Sequence, residues 1–217
     1  MNDYVFNQNA PHVIVVDNFY KDPDSIVKMA YEQEFKENNN LYKGKRSSNC
    51  LLPYVREEFE RLLNVKITDW VNQPMNGVFQ ITNSEHPLVW HSDSQSYAAA
   101  VYLTKEAGVG YGTSFWREKN FDCRRPPNHP LENKPHIKDS EVYSQYNLTH
   151  PDNWELVDRV GSVFNRLVIW DAKMIHSATQ YGNFERLVQL FFFSIQKQLS
   201  SQQGQLRNNS SLQQGQT

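Results

Sequence analysis

The 217-residue chain is poor in cysteine and contains no long apolar run, and each shortage excludes a class of protein. Cys50 and Cys123 fit neither a disulfide framework nor a zinc-binding pattern. No stretch of 18 apolar residues occurs, and no charged segment followed by an apolar one opens the chain. A membrane-spanning or Sec-exported protein is therefore not predicted, and we expect a cytoplasmic one.

Neither sign of charge is in excess: 22 Lys and Arg residues stand against 24 Asp and Glu residues, giving a formal net charge of -2. We therefore expect no general binding to nucleic acid. Hydrophobic residues make up 39% of the chain and aromatic residues 13%, which is enough for a packed core. We predict one domain over residues 1–195, followed by a low-complexity tail over 196–217, rich in Gln and Ser, that stays outside the fold.

The first part of the chain predicts one strand and two helices. Residues 12–16 form a short β-branched run, and Asp22 then stands where a helix N-cap is expected, before a proline. Residues 54–63 carry apolar side chains on one side of a second helix. The polar stretch over 37–49 is interpreted as a loop.

From about residue 65 the hydrophobic pattern has the period of two that is typical of strands. The predicted strands cover 66–70, 77–81, 96–103, 112–116, 163–170 and 187–195. Four prolines exclude regular structure over 122–137. Many short strands with little helix indicate a mainly β, α+β fold: an antiparallel sandwich or barrel with the two early helices packed outside it.

Four polar side chains on this strand-rich background point to chemistry. In an extended chain His91 and Asp93 leave the same face, so the imidazole and the carboxylate can meet at one metal ion. His176 follows an apolar strand, and Arg186 opens the last one. Two histidines and one carboxylate leave three metal positions open, as in non-haem Fe(II) enzymes that use O2. Zinc fits the same ligands and would give a hydrolase, although no H-E-x-x-H helix is present and a hydrolase does not need the arginine.

This motif set resembles that of the iron(II)- and 2-oxoglutarate-dependent dioxygenases. Tyr-Leu-Thr over 102–104, followed by Gly110, Gly112 and Phe115, is similar to their "YLN…GG-x-L-x-F" stretch. The strand over 165–170 that leads to His176 is similar to their "G-x-x-v-x-F…H" segment. The resemblance covers about residues 78–195 and is nearest to a small bacterial and phage branch.

The resemblance implies a double-stranded β-helix, or jelly roll, that uses Fe(II), 2-oxoglutarate and O2. His91, Asp93 and His176 would be the metal ligands, and Arg186 would bind the far carboxylate of 2-oxoglutarate. The implied reaction is hydroxylation, with 2-oxoglutarate decarboxylated to succinate and CO2. Many members carry a serine two residues after the arginine, where this chain has Val188.

The Val188 departure leaves Arg186 in need of another hydroxyl, and Tyr102 and Ser114 are the candidates. Trp116 and Arg117, beside the glycine-rich turn, are candidate substrate contacts. The loops over 37–49 and 117–147 would set specificity for a small-molecule or peptide substrate that the sequence does not identify, and no oligomeric state is predicted. Two alternatives stay open: a non-catalytic jelly-roll module with a binding or structural role, and a metal-dependent hydrolase.

Overall fold

Two antiparallel sheets form the frame of the protein in a computed structural model that describes residues 12–37, 44–144 and 150–196. All but the first residue of the predicted tail over 196–217 lies outside these ranges, as does 38–43 within the predicted loop. The larger sheet contains the strands β1 (Val13–Val16), β2 (Lys36–Glu37), β3 (Lys45–Asn49), β4 (Val78–Thr82), β5 (Tyr97–Tyr102), β8 (Leu167–Asp171) and β10 (Arg186–Phe193). The smaller sheet contains β6 (Thr113–Glu118), β7 (Trp154–Val160) and β9 (His176–Ala178).

Strand β10 lies at the centre of the larger sheet, whose order is β1-β8-β5-β10-β4-β3-β2. The order in the smaller sheet is β7-β6-β9. On β10, Val188 is directly opposite Tyr102 of β5 and Gln80 of β4, and Gln80 is in turn opposite Arg46 of β3. Directly opposed residues share a face of a sheet, so these four side chains form one row across it.

The first two helices begin at residues that favour a helix N-terminus, a proline in each and a capping aspartate in the first. Helix α1 (Pro23–Tyr31) has Asp22 as its N-cap, whose carboxylate accepts from the backbone N–H of Ser25 at 3.1 Å. Helix α2 (Pro53–Leu63) also starts with a proline and ends at Asn64, which adopts a left-handed conformation. The short helix α3 (Asp139–Val142) lies in the long connection after β6. Among the described residues, no helix combines the length and the apolarity needed to cross a membrane.

Helices α1 and α2 cover the outer face of the larger sheet, as the sequence predicted. Phe59 of α2 is fully buried, and its ring packs against those of Trp70, Phe191 and Phe193 with centroids 5.1–5.5 Å apart. The inner face of the sheet packs instead against β6, through a cluster that includes Tyr102, Phe115 and Val188. This two-layer antiparallel arrangement confirms the predicted jelly roll.

Two assignments made from the sequence are wrong. The predicted loop over 37–49 contains β3, whose five residues are all polar, so the alternation of hydrophobic residues does not reveal this strand. The predicted strand over 66–70 is a turn, in which Ile67 forms an isolated bridge with Ile195. Three further strands were missed: β2, which is two residues long, β7, a largely exposed edge strand, and β9, which is three residues long. The absence of regular structure over 122–137 is confirmed.

Candidate metal centre

Backbone hydrogen bonds bring the three predicted metal ligands together. His176 opens β9 and faces His91, and the two residues exchange backbone hydrogen bonds of 2.8 and 3.1 Å. The N–H of Asp93 donates to the carbonyl of Ala172 at 2.8 Å, in the turn that leads from β8 to His176. The main chain therefore fixes the positions from which the three side chains converge.

The ligand atoms of His91, Asp93 and His176 all lie within 4.8 Å of one another. Nε2 of His91 is 3.7 Å from Oδ1 of Asp93, and Nε2 of His176 is 3.3 Å from Oδ2. Each imidazole has its Nδ1 beside a backbone carbonyl two residues earlier, that of Val89 at 3.1 Å and that of Met174 at 2.8 Å. A proton held on Nδ1 by a carbonyl leaves Nε2 as a lone-pair donor, which is the tautomer that a metal ion requires.

The Asp93 carboxylate tests whether a cation fits between the two imidazoles. Its Oδ2 atom is buried and makes no hydrogen bond, which is costly for an anionic oxygen. Burial raises the pKa of Asp93, but the adjacent His176 outweighs this, so the pKa of the carboxyl lies below its usual value. Burial also lowers the pKa of His91, and the nearby His176 adds to the effect. An anionic Asp93 carboxylate and a neutral His91 imidazole are ligand states that favour a divalent cation.

Arg186 lies in the same cavity as the three ligands and is itself buried. Its Nε donates to the carbonyl of Tyr111 at 2.8 Å, and its guanidinium carbon stands 5.5 Å from the ring centre of Tyr102. Burial lowers the pKa of Arg186, which reflects the cost of a charge held out of water. Because Nε is the guanidinium atom that bonds within the described protein, the two terminal nitrogens are left to hold a carboxylate in a fork.

The hydroxyl groups near Arg186 differ from those expected. Tyr102 packs under the guanidinium, but its hydroxyl donates to Thr113 at 2.8 Å. Ser114 instead shares a 2.7 Å hydrogen bond with Thr179 and does not line the cavity. Val188 belongs to the apolar cluster between the sheets. The cavity itself presents Thr113 and Tyr181 at the Arg186 end.

The cavity has a volume of about 400 Å³, within the usual range for small-molecule sites. The cavity is lined on one side by the three candidate metal ligands, Trp170 and Arg186, and Arg46 of β3 contributes a second guanidinium. The remaining lining is mixed: Leu190, Phe192, Met75 and Pro74 are apolar, whereas Gln73, Gln80 and Gln95 carry amides.

The two candidate substrate contacts lie outside this cavity. Trp116 packs edge-on against Trp90 and donates from its indole N–H to Ser177 at 2.9 Å. Arg117 forms ion pairs with Asp122 and Glu155. Both Trp116 and Arg117 line a separate cavity of about 570 Å³.

Sequence reasoning missed Arg46, Thr113 and Tyr181 as cavity residues. Thr113 lies one residue after the recognised Gly112, so the motif itself contained a signal. Tyr181 lies in the connection between β9 and β10. Because this connection is not a strand, the alternation of residues does not predict which way the Tyr181 side chain points. Arg46 was placed in a polar loop, and only the register between β3 and β4 reveals which way it faces.

Solved structures with the same architecture define the class of fold. HygX from Streptomyces hygroscopicus, crystallised with nickel, 2-oxoglutarate and hygromycin B, is 12% identical, with a TM-score of 0.51 over 86% of this chain and 84% of that one. A Trichoplax adhaerens prolyl hydroxylase, in complex with a hypoxia inducible factor peptide fragment, is 11% identical, with a TM-score of 0.51 over 87% and 84%. SnoK, a non-heme alpha ketoglutarate dependent carbocyclase from nogalamycin biosynthesis, is 10% identical, with a TM-score of 0.51 over 92% and 87%. The chain thus has the fold of the iron- and 2-oxoglutarate-dependent oxygenases, as its motifs predicted.

Within that fold class the chain belongs to a family of unknown function, DUF6445, whose model matches residues 2–182. No curated protein matches the sequence significantly.

Proposed function

We propose that this protein is an Fe(II)- and 2-oxoglutarate-dependent dioxygenase that hydroxylates a small molecule. The observation that carries the proposal is that His91, Asp93, His176 and Arg186 line one cavity. Two imidazoles and a carboxylate on one side of a cation leave three adjacent positions for other ligands. An iron ion at this site, when bound with 2-oxoglutarate, would supply the oxygen chemistry of such enzymes.

Separate residues of the chain would bind the metal ion and the co-substrate. His91, Asp93 and His176 would hold the ion, and backbone hydrogen bonds fix the positions of these three residues in the main chain. The terminal nitrogens of Arg186 would donate two parallel hydrogen bonds to the far carboxylate of 2-oxoglutarate. Tyr111 orients that guanidinium through its carbonyl, and the Tyr102 ring supports it.

A missing hydroxyl at Val188 is compatible with this role. The family serine would stand two residues after the arginine on the same face, but here Val188 occupies that position and belongs to an apolar cluster with Tyr102. Thr113 and Tyr181 supply hydroxyl groups at the same end of the cavity. Both are offered as additional hydrogen-bonding partners of the co-substrate.

The decisive experiment separates metal binding, co-substrate binding and turnover. Purified protein is titrated with Ni(II), then with 2-oxoglutarate, by calorimetry, and succinate formation is followed with Fe(II), ascorbate and O2. We expect metal-dependent binding of 2-oxoglutarate and slow succinate formation even without a primary substrate. His176→Ala should lower metal affinity by at least about a hundredfold, because losing a direct ligand costs more than losing its supporting hydrogen bond.

His136→Ala is the matched control, since His136 is an exposed histidine outside the cavity. The proposal is wrong if the intact protein binds neither metal nor 2-oxoglutarate, which would favour a non-catalytic module. Metal-dependent turnover that needs neither O2 nor 2-oxoglutarate would favour a hydrolase.

A further inference from the structure

Lys173 lies in the turn between β8 and β9, and the proposed function assigns it no role. Its Nζ atom donates to the main-chain carbonyls of Asp93 at 3.0 Å and of Ser94 at 2.7 Å. In the described part of the chain, these two carbonyls are the hydrogen-bonding partners of the half-buried ammonium group. Hydrogen bonds from a charged donor are roughly twice as strong as neutral ones, so Lys173 holds this part of the main chain firmly.

The sequence of the turn explains how Lys173 is presented. Asp171 ends β8, and its Oδ1 atom accepts from the Lys173 N–H at 2.9 Å. A carboxylate that bonds the backbone two residues later forms an Asx-turn, which has a local cause. Arg125, from the long connection after β6, donates to the other carboxylate oxygen of Asp171 at 3.0 Å. The Lys173 side chain therefore starts from a turn that is fixed at its base.

Both main-chain polar groups of Asp93 are bonded to two successive residues of this turn. Its N–H donates to the carbonyl of Ala172 at 2.8 Å, and its carbonyl accepts from Lys173. Asp93 itself lies outside the strands of either sheet, so strand pairing does not orient it. Because the Cα–Cβ bond has a fixed direction relative to the N–H and carbonyl groups, holding both groups sets the direction in which the carboxylate leaves the chain.

The two histidines of the candidate metal centre are held in a different way. His176 opens β9 and exchanges backbone hydrogen bonds with His91, so the positions of both residues follow from strand pairing. Lys173 takes no part in that pairing. Loss of its ammonium group should therefore loosen the Asp93 carboxylate and leave the two imidazoles in place.

Lys173 does not line the cavity that contains the three candidate ligands and Arg186. Its side chain would therefore contact neither the ion nor the co-substrate, and its effect on the site would pass through Asp93. Resting on the proposed oxygenase function, we propose that Lys173 is a positioning residue, which holds the Asp93 carboxylate in the orientation that binds the metal ion.

The test measures the Ni(II) affinity by calorimetry at one fixed pH, because metal binding releases protons. Lys173→Met removes the ammonium group and keeps an unbranched side chain. It should weaken Ni(II) binding by about tenfold, the lower end of the effect of replacing a residue that supports a metal ligand, because Lys173 bonds the main chain of Asp93 and not its carboxylate. Lys173→Arg keeps a charged donor and should recover part of the lost affinity.

Lys134→Met is the matched control. The Nζ atom of Lys134 also donates to two successive main-chain carbonyls, those of Phe121 and Asp122, and these residues lie outside the cavity. The substitution removes the same kind of contact from a segment that contributes no candidate metal ligand. The Ni(II) affinity should therefore not change.

A double-mutant cycle with Asp93→Ala separates positioning from a purely structural role. If Lys173 acts through the carboxylate, Lys173→Met should lower the Ni(II) affinity of the unmodified protein but not that of Asp93→Ala. A general disturbance of the fold would weaken the remaining two-histidine site as well. The Co(II)-loaded protein gives a second reading, because its visible absorption depends on ligand geometry. Lys173→Met should change this spectrum, and Lys134→Met should not.

Urea denaturation of the metal-free variants checks that they fold, and Lys173→Gln replaces Lys173→Met in every comparison if the latter does not. The inference is overturned if Lys173→Met binds Ni(II) as tightly as the unmodified protein or leaves the Co(II) spectrum unchanged. It is also overturned if the loss of affinity is the same in Asp93→Ala, or if neither variant folds. Each of these results would leave the proposed oxygenase function intact. Failure of the unmodified protein to bind Ni(II) would instead refute the metal centre on which that function depends.

Discussion

The two faces of β10 contrast within a single strand. Leu187, Phe191 and Phe193 point outward and pack with the helices in a buried, largely aromatic core. Arg186, Leu190 and Phe192 point inward and line the cavity. Successive side chains of a strand alternate between its two faces. The outward residues of β10 can therefore stabilise the core, while the inward residues form the cavity. The contrast implies that substitutions on the two faces should have separable effects.

The largest effect is expected on the outer face, from Phe59→Ala in α2. Phe59 is fully buried and packs against four aromatic rings, so its removal leaves a cavity that rigid neighbours cannot fill. We expect the free energy of unfolding to fall by about 3–5 kcal/mol, measured by urea denaturation. Tyr54→Ala on the exposed side of the same helix should cost less than about 1 kcal/mol. Equal losses from the two variants would show that α2 does not anchor the core through Phe59.

The substitution Arg186→Leu on the inner face should weaken co-substrate binding without lowering the stability of the protein. We expect 2-oxoglutarate affinity of the Ni(II)-loaded protein to fall by about 2–5 kcal/mol, because a charged partner of the carboxylate is lost. The free energy of unfolding of the metal-free protein should not fall, since the guanidinium is buried at the cost of its hydration. Calorimetry and urea denaturation measure the two quantities. A strongly destabilised variant with normal co-substrate affinity would contradict the separation of the two faces.

The smallest effect is expected at the rim of the outer layer, where Glu60 of α2 accepts from the Ile67 N–H at 3.0 Å and from Lys66 at 2.9 Å. The hydrogen bond from Lys66 holds the pKa of Glu60 below its usual 4.5. The unfolded chain therefore takes up this proton at higher pH than the folded one. The resulting stability is present above the unfolded pKa and is lost as the pH falls through the folded one.

Glu60→Gln tests this pH dependence. The variant should be less stable than the unmodified protein by less than about 1 kcal/mol near neutral pH, because the Lys66 partner is exposed and solvent screens the ion pair. The difference should shrink as the pH falls below the usual pKa of Glu60. Urea denaturation across that range measures it, and a difference that grows with acidification would contradict the assignment.

The features that could be predicted from the sequence are those with strong local causes. Helix α1 begins after Asp22 as expected, because a capping carboxylate and a proline act within one turn. The apolar strands β5, β8 and β10 were found because both of their faces are buried. The convergence of the His91 and Asp93 side chains could be predicted for a similar reason, since alternation along an extended chain is local.

The features that could not be predicted depend on pairing between distant segments. Strand β3 is polar because one of its faces lines a cavity and its partner strand β2 is short, so the alternation of hydrophobic residues fails there. The orientation of Arg46 follows from its pairing with Gln80, 34 residues further along the chain. At 66–70 the alternation is present in the sequence, but Ile67 and Trp70 enter the core from a turn. The location of Trp116 outside the cavity likewise depends on the register of β6 with β9.

The backbone pairing of His91 with His176 affects the order of assembly. Because main-chain hydrogen bonds pair these two segments, we expect the polypeptide to fold without a bound ion. If the proposed iron binds, it would then enter a protein that has already folded, and the ions available in the surroundings would decide which one is bound. A competing ion such as nickel or zinc would block the proposed activity, and a chelator should remove that ion without unfolding the protein.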